Sequence, residues 1–216
     1  MSDEVVVVVA SGPASAAGAV LAVPAGATVI AADGGLGHAW RLGLDVSLLV
    51  GDLDSATPSE VAKAESEGIP IERHPREKDA TDLELALDAA AERRPGRIVV
   101  LGSDGGRLDH LLGSLLVLGS QKYAAVEIDA LIGRARVQVV RGERALAGRP
   151  GELVSLFALD RPAEEVHTEG LLYALDGESL EPGSSRGVSN VFVSDTARIS
   201  VARGVVLAIR PGAEEP

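Results

Sequence analysis

A chain of 216 residues, 46% of them hydrophobic, carries enough apolar side chain to bury one large core or two modest ones. Its formal net charge of −12, with no Lys/Arg cluster to offset it, repels a nucleic-acid backbone and suits a small cationic or metal-bridged ligand. The absence of cysteine excludes disulfides, thiolate metal sites and a cysteine nucleophile. The opening "MSDEVVVVVA" has acid where a signal peptide needs base, and its apolar run is too short to span a bilayer, so a soluble, cytoplasmic protein with no membrane partner is expected.

Short β-branched runs alternate with longer Ala/Leu/Glu-rich ones over roughly the first 130 residues, the pattern of βα units around a mostly parallel sheet. Strands are predicted at 5–10, 28–32, 47–50, 69–72, 97–102 and 126–132, most of them apolar throughout, as strands covered on both faces tend to be. The loop "SGPASAAG" (11–18) follows the first strand, and Trp40 in "LGHAWRLGL" has helical spacing from Leu36 and is assigned to the core. "DATDLELALDAAAERRPG" (79–96) is the clearest helix: Thr81 and Glu84 have capping-box spacing, Leu83, Ala86, Leu87 and Ala90 make one stripe, and Arg93, Arg94, Pro95 and Gly96 end it.

Beyond about residue 140 the texture changes, and "RGERALAGRPGE" (141–152) reads as a turn-rich boundary. Short β-type runs follow, "LVSLFAL", "VHTEGLLYAL", "ARISVA" and "VVLAIR", separated by Gly, Pro, Ser and Asp. The expected architecture is an α/β domain over 1–140 and a small all-β domain over 141–216, with "GAEEP" frayed at the end.

Four loops that would each follow a strand carry acid or glycine in tight groups: "ADGG" (Asp33, Gly34, Gly35), "GDLDS" (Gly51, Asp52, Asp54, Ser55), "KDATD" (Lys78, Asp79, Thr81, Asp82) and "GGRLDH" (Gly105, Gly106, Arg107, Asp109, His110). In open α/β sheets such loops converge at the carboxyl ends of the strands, where ligands bind. Several aspartates beside Lys and Arg suit Mg²⁺ bridging a polyphosphate, because that cation prefers a few carboxylates together with phosphate oxygens. Strand alternation would aim Asp52 and Asp54 to one side, where like charges repel unless a cation lies between them.

Simpler roles are also open to these residues. Asp and Gly are ordinary turn formers. Asp82 at the first helical position stabilises the helix dipole without any ligand, and Asp79 can simply be solvated. Arg107 and Asp109 are placed to pair with each other, and a histidine in an apolar stretch, like His110, is more often a satisfied core residue than a ligand. The glycines form neither GxGxxG nor a Walker loop.

"AADGGLGHAWRLGLDVSLLVGDLDS", "HPREKDATDLELAL" and "LGSDGGRLDHLLGSLLVL" resemble, in order and spacing, three signature stretches of the thiamine pyrophosphokinase family, and "TEGLLYALDGESLEPGSSRGVSNVF" is similar to that family's C-terminal stretch. The resemblance implies an ATP-binding α/β domain, a C-terminal β-sandwich that binds thiamine, and a homodimer with active sites between subunits. It implies transfer of a pyrophosphoryl group from ATP to the hydroxyethyl group of thiamine, with release of AMP. Carried onto this chain, Asp52, Asp54, Asp79 and Asp82 would hold Mg²⁺, and Lys78 and Arg107 would neutralise phosphate oxygens. Asp33, Gly34, Gly35, Asp109 and His110 would line the nucleotide, while Ser189, Asn190 and Tyr173 would meet the vitamin. Two rival readings are a pyrophosphokinase for another hydroxymethyl heterocycle such as a pterin, and a non-catalytic nucleotide or thiamine sensor.

Overall fold

The structure, a computed structural model, describes residues 3–12, 23–103 and 106–212. Most of the "SGPASAAG" loop, Gly105 and residues 213–216 of the frayed end lie outside the described residues. The chain forms two compact units: Met1–Val117 with Ala125–Arg134, and Leu118–Ala124 with Ala135–Pro216.

The first unit is a six-stranded parallel sheet among the described residues, built from β1 (Val5–Val9), β2 (Thr28–Ala32), β3 (Leu48–Gly51), β4 (Ile71–Arg73), β5 (Arg97–Gly102) and β6 (Glu127–Ile132). Its spatial order is β6-β5-β1-β2-β3-β4, so the chain runs outward from β1 in one direction and then returns to the other side of it at β5. Near-continuous burial along β1, β2 and β5 follows from cover on both faces. Alternation sends Val7, Val9, Val29, Ala31, Leu49, Val99 and Leu101 into one core with Leu36 and Ala39 of α1 (Gly35–Arg41) and Ala64 of α2 (Pro58–Ser66). Trp40 lies at the edge of that core, half-buried, with Lys63 Nζ 4.0 Å from its ring centre.

Helix α3 (Asp82–Glu92) packs against β1, β2 and β3 and buries Leu83, Ala86, Leu87 and Ala90, the predicted stripe. Thr81 caps it, its hydroxyl accepting from the Glu84 N–H at 3.2 Å. Helix α4 (Leu108–Leu118) is different, since only Leu118 of it is buried and Leu108, Leu112 and Leu116 are exposed. The simpler reading of His110 as a core histidine does not hold, since it lies on this helix and is exposed.

The second unit contains β7 (Ala135–Ala147), β8 (Leu153–Ala158), β9 (Ala163–Glu169), β10 (Asp176–Leu180), β11 (Asn190–Val191) and β12 (Thr196–Arg210), all antiparallel where they pair within the unit. The runs "ARISVA" and "VVLAIR" are one strand rather than two. β12 pairs with β7 along nearly its whole length, while on its other edge it pairs first with β9 and then, beyond an irregularity between Val201 and Val206, with β8. Gly204, at φ 93°, supplies the left-handed residue in that bend. One strand thus belongs to both layers of the sandwich, which encloses Leu146, Val154, Leu156, Val166, Phe192, Ile199 and Val206. Residues 141–147, expected to be turn-rich, instead continue β7, and the turn follows at 148–151.

Candidate active site

The polar cluster of the first unit is assembled at the carboxyl ends of neighbouring parallel strands. Asp33 follows β2, Asp52 follows β3, Lys78 lies in the segment that joins β4 to α3, and Asp82 is the first residue of α3. Carboxylate oxygens of Asp33, Asp52 and Asp82 lie within 4.8 Å of one another. One glycine makes room for this, and another lets the start of α1 pack on β1. A Cβ on Gly51, which has φ 145°, would stand 2.9 Å from Asp82 Oδ1 and 3.1 Å from Asp33 Cβ, and one on Gly35 would fall 2.0 Å from the Val9 carbonyl oxygen.

Asp33 is buried and adopts φ 47°. Its carboxylate accepts from the backbone N–H of Ser55 at 3.2 Å and of Ala56 at 3.0 Å, so it also orders the loop that carries Asp52. Desolvation raises the Asp33 carboxyl above its ordinary range; the N–H bonds from Ala56 and Ser55 oppose this, and the Asp82 charge adds to it.

Asp52 accepts from Lys78 Nζ at 2.6 Å and from the Asp54 N–H at 3.1 Å, and its own N–H donates to Asp82 Oδ1 at 3.3 Å. Lys78 Nζ also lies 3.1 Å from Asp82 Oδ1. Desolvation is the largest influence on Lys78 and would lower its pKa, but hydrogen bonds to Asp52 and Asp82, together with their charges, leave it raised.

Asp54 does not share a side with Asp52. The expected alternation needs extended backbone through Leu53, and Leu53 has φ 63° and packs on the core instead. Asp54 is turned to Arg76, which donates from Nε at 3.0 Å and Nη2 at 2.6 Å, and to the Ser55 hydroxyl at 3.1 Å. The Arg76 bonds, then that of Ser55, hold its carboxyl below the ordinary range. Arg76, two residues before Lys78 in "HPREKDATD", was missed in the sequence, although a cation so close to the acid-rich segment was a usable signal.

Asp79 is exposed and lies outside the triad. Arg107 and Asp109, both exposed, form a bidentate pair at 3.2 and 2.6 Å at the start of α4, which brings Asp109 to about 2. Gly34 precedes α1, beside Ser11 and Ser55.

In the second unit the named residues separate by role. Ser189 is exposed at φ 58°, and Tyr173 is 56% exposed. Asn190 is only 3% exposed, and its amide is engaged by neighbouring backbone. Its Oδ1 accepts from the N–H groups of Tyr173 and Val191, each at 2.9 Å, and its Nδ2 donates to the Tyr173 carbonyl at 2.8 Å. Asn190 is thus a bracket for the Tyr173 backbone, because a buried amide must satisfy its own donors and acceptors.

Fold and donor set place the chain among two-unit α/β-plus-β proteins with an oxygen-donor cluster at the strand ends. Residues 23–129 match the profile described as "Thiamin pyrophosphokinase, catalytic domain", and residues 137–206 match "Thiamin pyrophosphokinase, vitamin B1 binding domain". A thiamine pyrophosphokinase of Bacillus subtilis (strain 168) is 30% identical over 162 residues, covering 74% of this chain and 76% of that protein. A crystal structure of thiamine pyrophosphokinase from Bacillus subtilis superposes with a TM-score of 0.84 at 24% identity, covering 98% of this chain and 100% of the other. One from Geobacillus thermodenitrificans gives 0.81 at 25% identity, covering 98% of each. The chain belongs to the thiamine pyrophosphokinase family.

Proposed function

We infer that this chain is a Mg²⁺-dependent enzyme that transfers a pyrophosphoryl group from ATP to the hydroxyethyl oxygen of thiamine, giving thiamine diphosphate and AMP. Family membership across both units is the observation that carries this reading. A pterin acceptor is not favoured, because the second unit matches a vitamin B1 binding domain.

The donor set supports the choice of metal. The triad of Asp33, Asp52 and Asp82 offers only carboxylate oxygens, which a hard divalent cation prefers, and it already holds an ammonium group between two of its members. When bound, Mg²⁺ supplies charge neutralisation for the phosphate oxygens of the transferring group and of the departing AMP. Asp52 and Asp82, with Asp33, would hold it, and Asp54 and Asp79 flank them.

Lys78 and Arg107 provide the cations for phosphate oxygens, while Gly34 and Gly35 let the backbone approach the nucleotide closely, with Asp109 and His110 alongside. On the second unit the exposed Tyr173 ring and Ser189 are the groups offered to thiamine, a cation that the net charge of −12 attracts. Exposed Leu153, Leu172, Tyr173, Val188 and Val193 on this unit support assembly as a homodimer. No helix among the described residues is long and apolar enough to cross a membrane, and a cytoplasmic location suits the supply of ATP.

Incubation with ATP, Mg²⁺ and thiamine tests the reaction: AMP and thiamine diphosphate should appear in equal amounts, with no thiamine monophosphate. Release of ADP would mean γ-phosphoryl transfer and overturn the reading. Sedimentation should give twice the 22.1 kDa chain mass, and a monomer at assay concentration would reject the dimer.

A further inference from the structure

Three carboxylates with oxygens within 4.8 Å of one another repel strongly unless a positive charge stands among them. Arg76 and Lys78 both reach aspartates of this part of the first unit, and they behave differently. Arg76 is spent on Asp54 through a two-pronged contact, with its side chain 76% exposed. Lys78 is the one that enters the triad: its side chain is 12% exposed, and Nζ lies 2.6 Å from Asp52 Oδ2 and 3.1 Å from Asp82 Oδ1. It reaches these oxygens from the segment before α3, four residues ahead of Asp82. A lysine ammonium is a compact charge on a flexible stem, so it can vacate a site without moving the backbone, which a bidentate arginine does less readily.

We propose that Lys78 is an internal counter-cation: it holds Asp52 and Asp82 in place while no divalent cation is bound, and gives up those oxygens when one is. The proposal rests on the metal reading above. Two consequences follow. Lys78 competes with the metal and keeps its affinity for the nucleotide-free protein low. Its ammonium, once released, stays within a side chain's length of the triad, where metal-bridged phosphate oxygens would receive it. Metal and nucleotide binding are thereby coupled, since nucleotide compensates Lys78 for the carboxylates it loses.

The test is Mn²⁺ binding, measured by calorimetric titration on the full chain without nucleotide, for the wild type, Lys78→Met and Asp52→Asn. Lys78→Met is expected to bind Mn²⁺ on the order of tenfold more tightly than the wild type, with Asp52→Asn binding far more weakly. Equal or weaker binding by Lys78→Met overturns the counter-cation role while leaving the metal site intact. If Asp52→Asn binds as the wild type does, the metal reading itself fails and this proposal fails with it. Because Lys78→Met leaves the triad uncompensated, thermal melting provides a second measurement. Saturating Mn²⁺ should raise the melting temperature of Lys78→Met more than that of the wild type, and an equal rise in both would also overturn the proposal.

Discussion

Both units bury or half-bury polar side chains, but they use them in opposite ways. In the second unit Asn190 and Thr168 are buried and turned to backbone: Asn190 brackets Tyr173, and the Thr168 hydroxyl accepts from the Leu175 N–H at 2.8 Å. Buried Arg210 likewise donates to the Ala147 carbonyl and lies 3.4 Å from Glu152. Asn190 and Thr168 satisfy backbone groups that burial would otherwise leave unpaired, and those contacts favour the fold. In the first unit Asp33 also accepts from backbone, but Lys78 pairs with Asp52 and Asp82, three carboxylates crowd at strand ends, and the Asp33 carboxyl is pushed above its ordinary range. The fold gains little from that crowding. The contrast separates side chains that satisfy backbone groups from a cluster whose crowding of like charge marks it as a candidate site.

The largest effect should come from striking the cluster. Asp52→Asn is expected to lower kcat on the order of 10²–10³-fold while shifting unfolding stability by less than about 1 kcal/mol, read from AMP release and urea denaturation of the same preparation. A variant that unfolds, or that turns over normally, would erase the distinction between the units.

Asn190→Ala should do the reverse. Losing the bracket strands the N–H groups of Tyr173 and Val191 and the Tyr173 carbonyl, at a cost of roughly 2–3 kcal/mol, and activity at saturating thiamine should survive wherever the protein stays folded. Loss of kcat in a fully folded Asn190→Ala protein would show that the amide acts on the reaction directly.

The smallest effect concerns a buried ionisable group of the first unit that lies outside the cluster. His38 is buried on α1, with Nδ1 3.3 Å from the Ala10 carbonyl. Desolvation lowers its pKa below 6.5, opposed by that carbonyl and aided by the Arg41 charge. The folded chain therefore binds fewer protons here than the unfolded chain, so this contribution to stability is present above pH 6.5 and is lost as pH falls through the depressed folded value. His38→Gln should lose less stability than the wild type between pH 7 and pH 5, as followed by urea denaturation. Equal losses would show that His38 does not titrate on unfolding.

How much of this could be read from the chain depends on how local each determinant is. The parallel strands were legible because cover on both faces writes an unbroken apolar run, and α3 because a cap at Thr81 and a 3.6-residue stripe lie within a dozen residues. The acid-bearing loops were legible as candidates, since each follows a strand whose end is itself legible. Helix α4 was not: "LDHLLGSLLVL" is apolar on nearly every side, so sequence alone points to burial, whereas three of its leucines are exposed. The single strand β12 was hidden because its bend at 202–205 looks like a turn until β7 is seen pairing on either side of it.

At the site itself, sequence determined which residues were available and on which loops, because strand, turn and cap chemistry are local. Tertiary structure decided which of them meet. Asp52 and Asp54 parted because Leu53 takes a left-handed conformation to reach the core, and Lys78 joined Asp52 across 26 residues of chain. Asn190 turned inward to a backbone segment 17 residues away. Each of these outcomes balances burial and hydrogen bonding between distant segments, a balance set only when the chain has closed on itself.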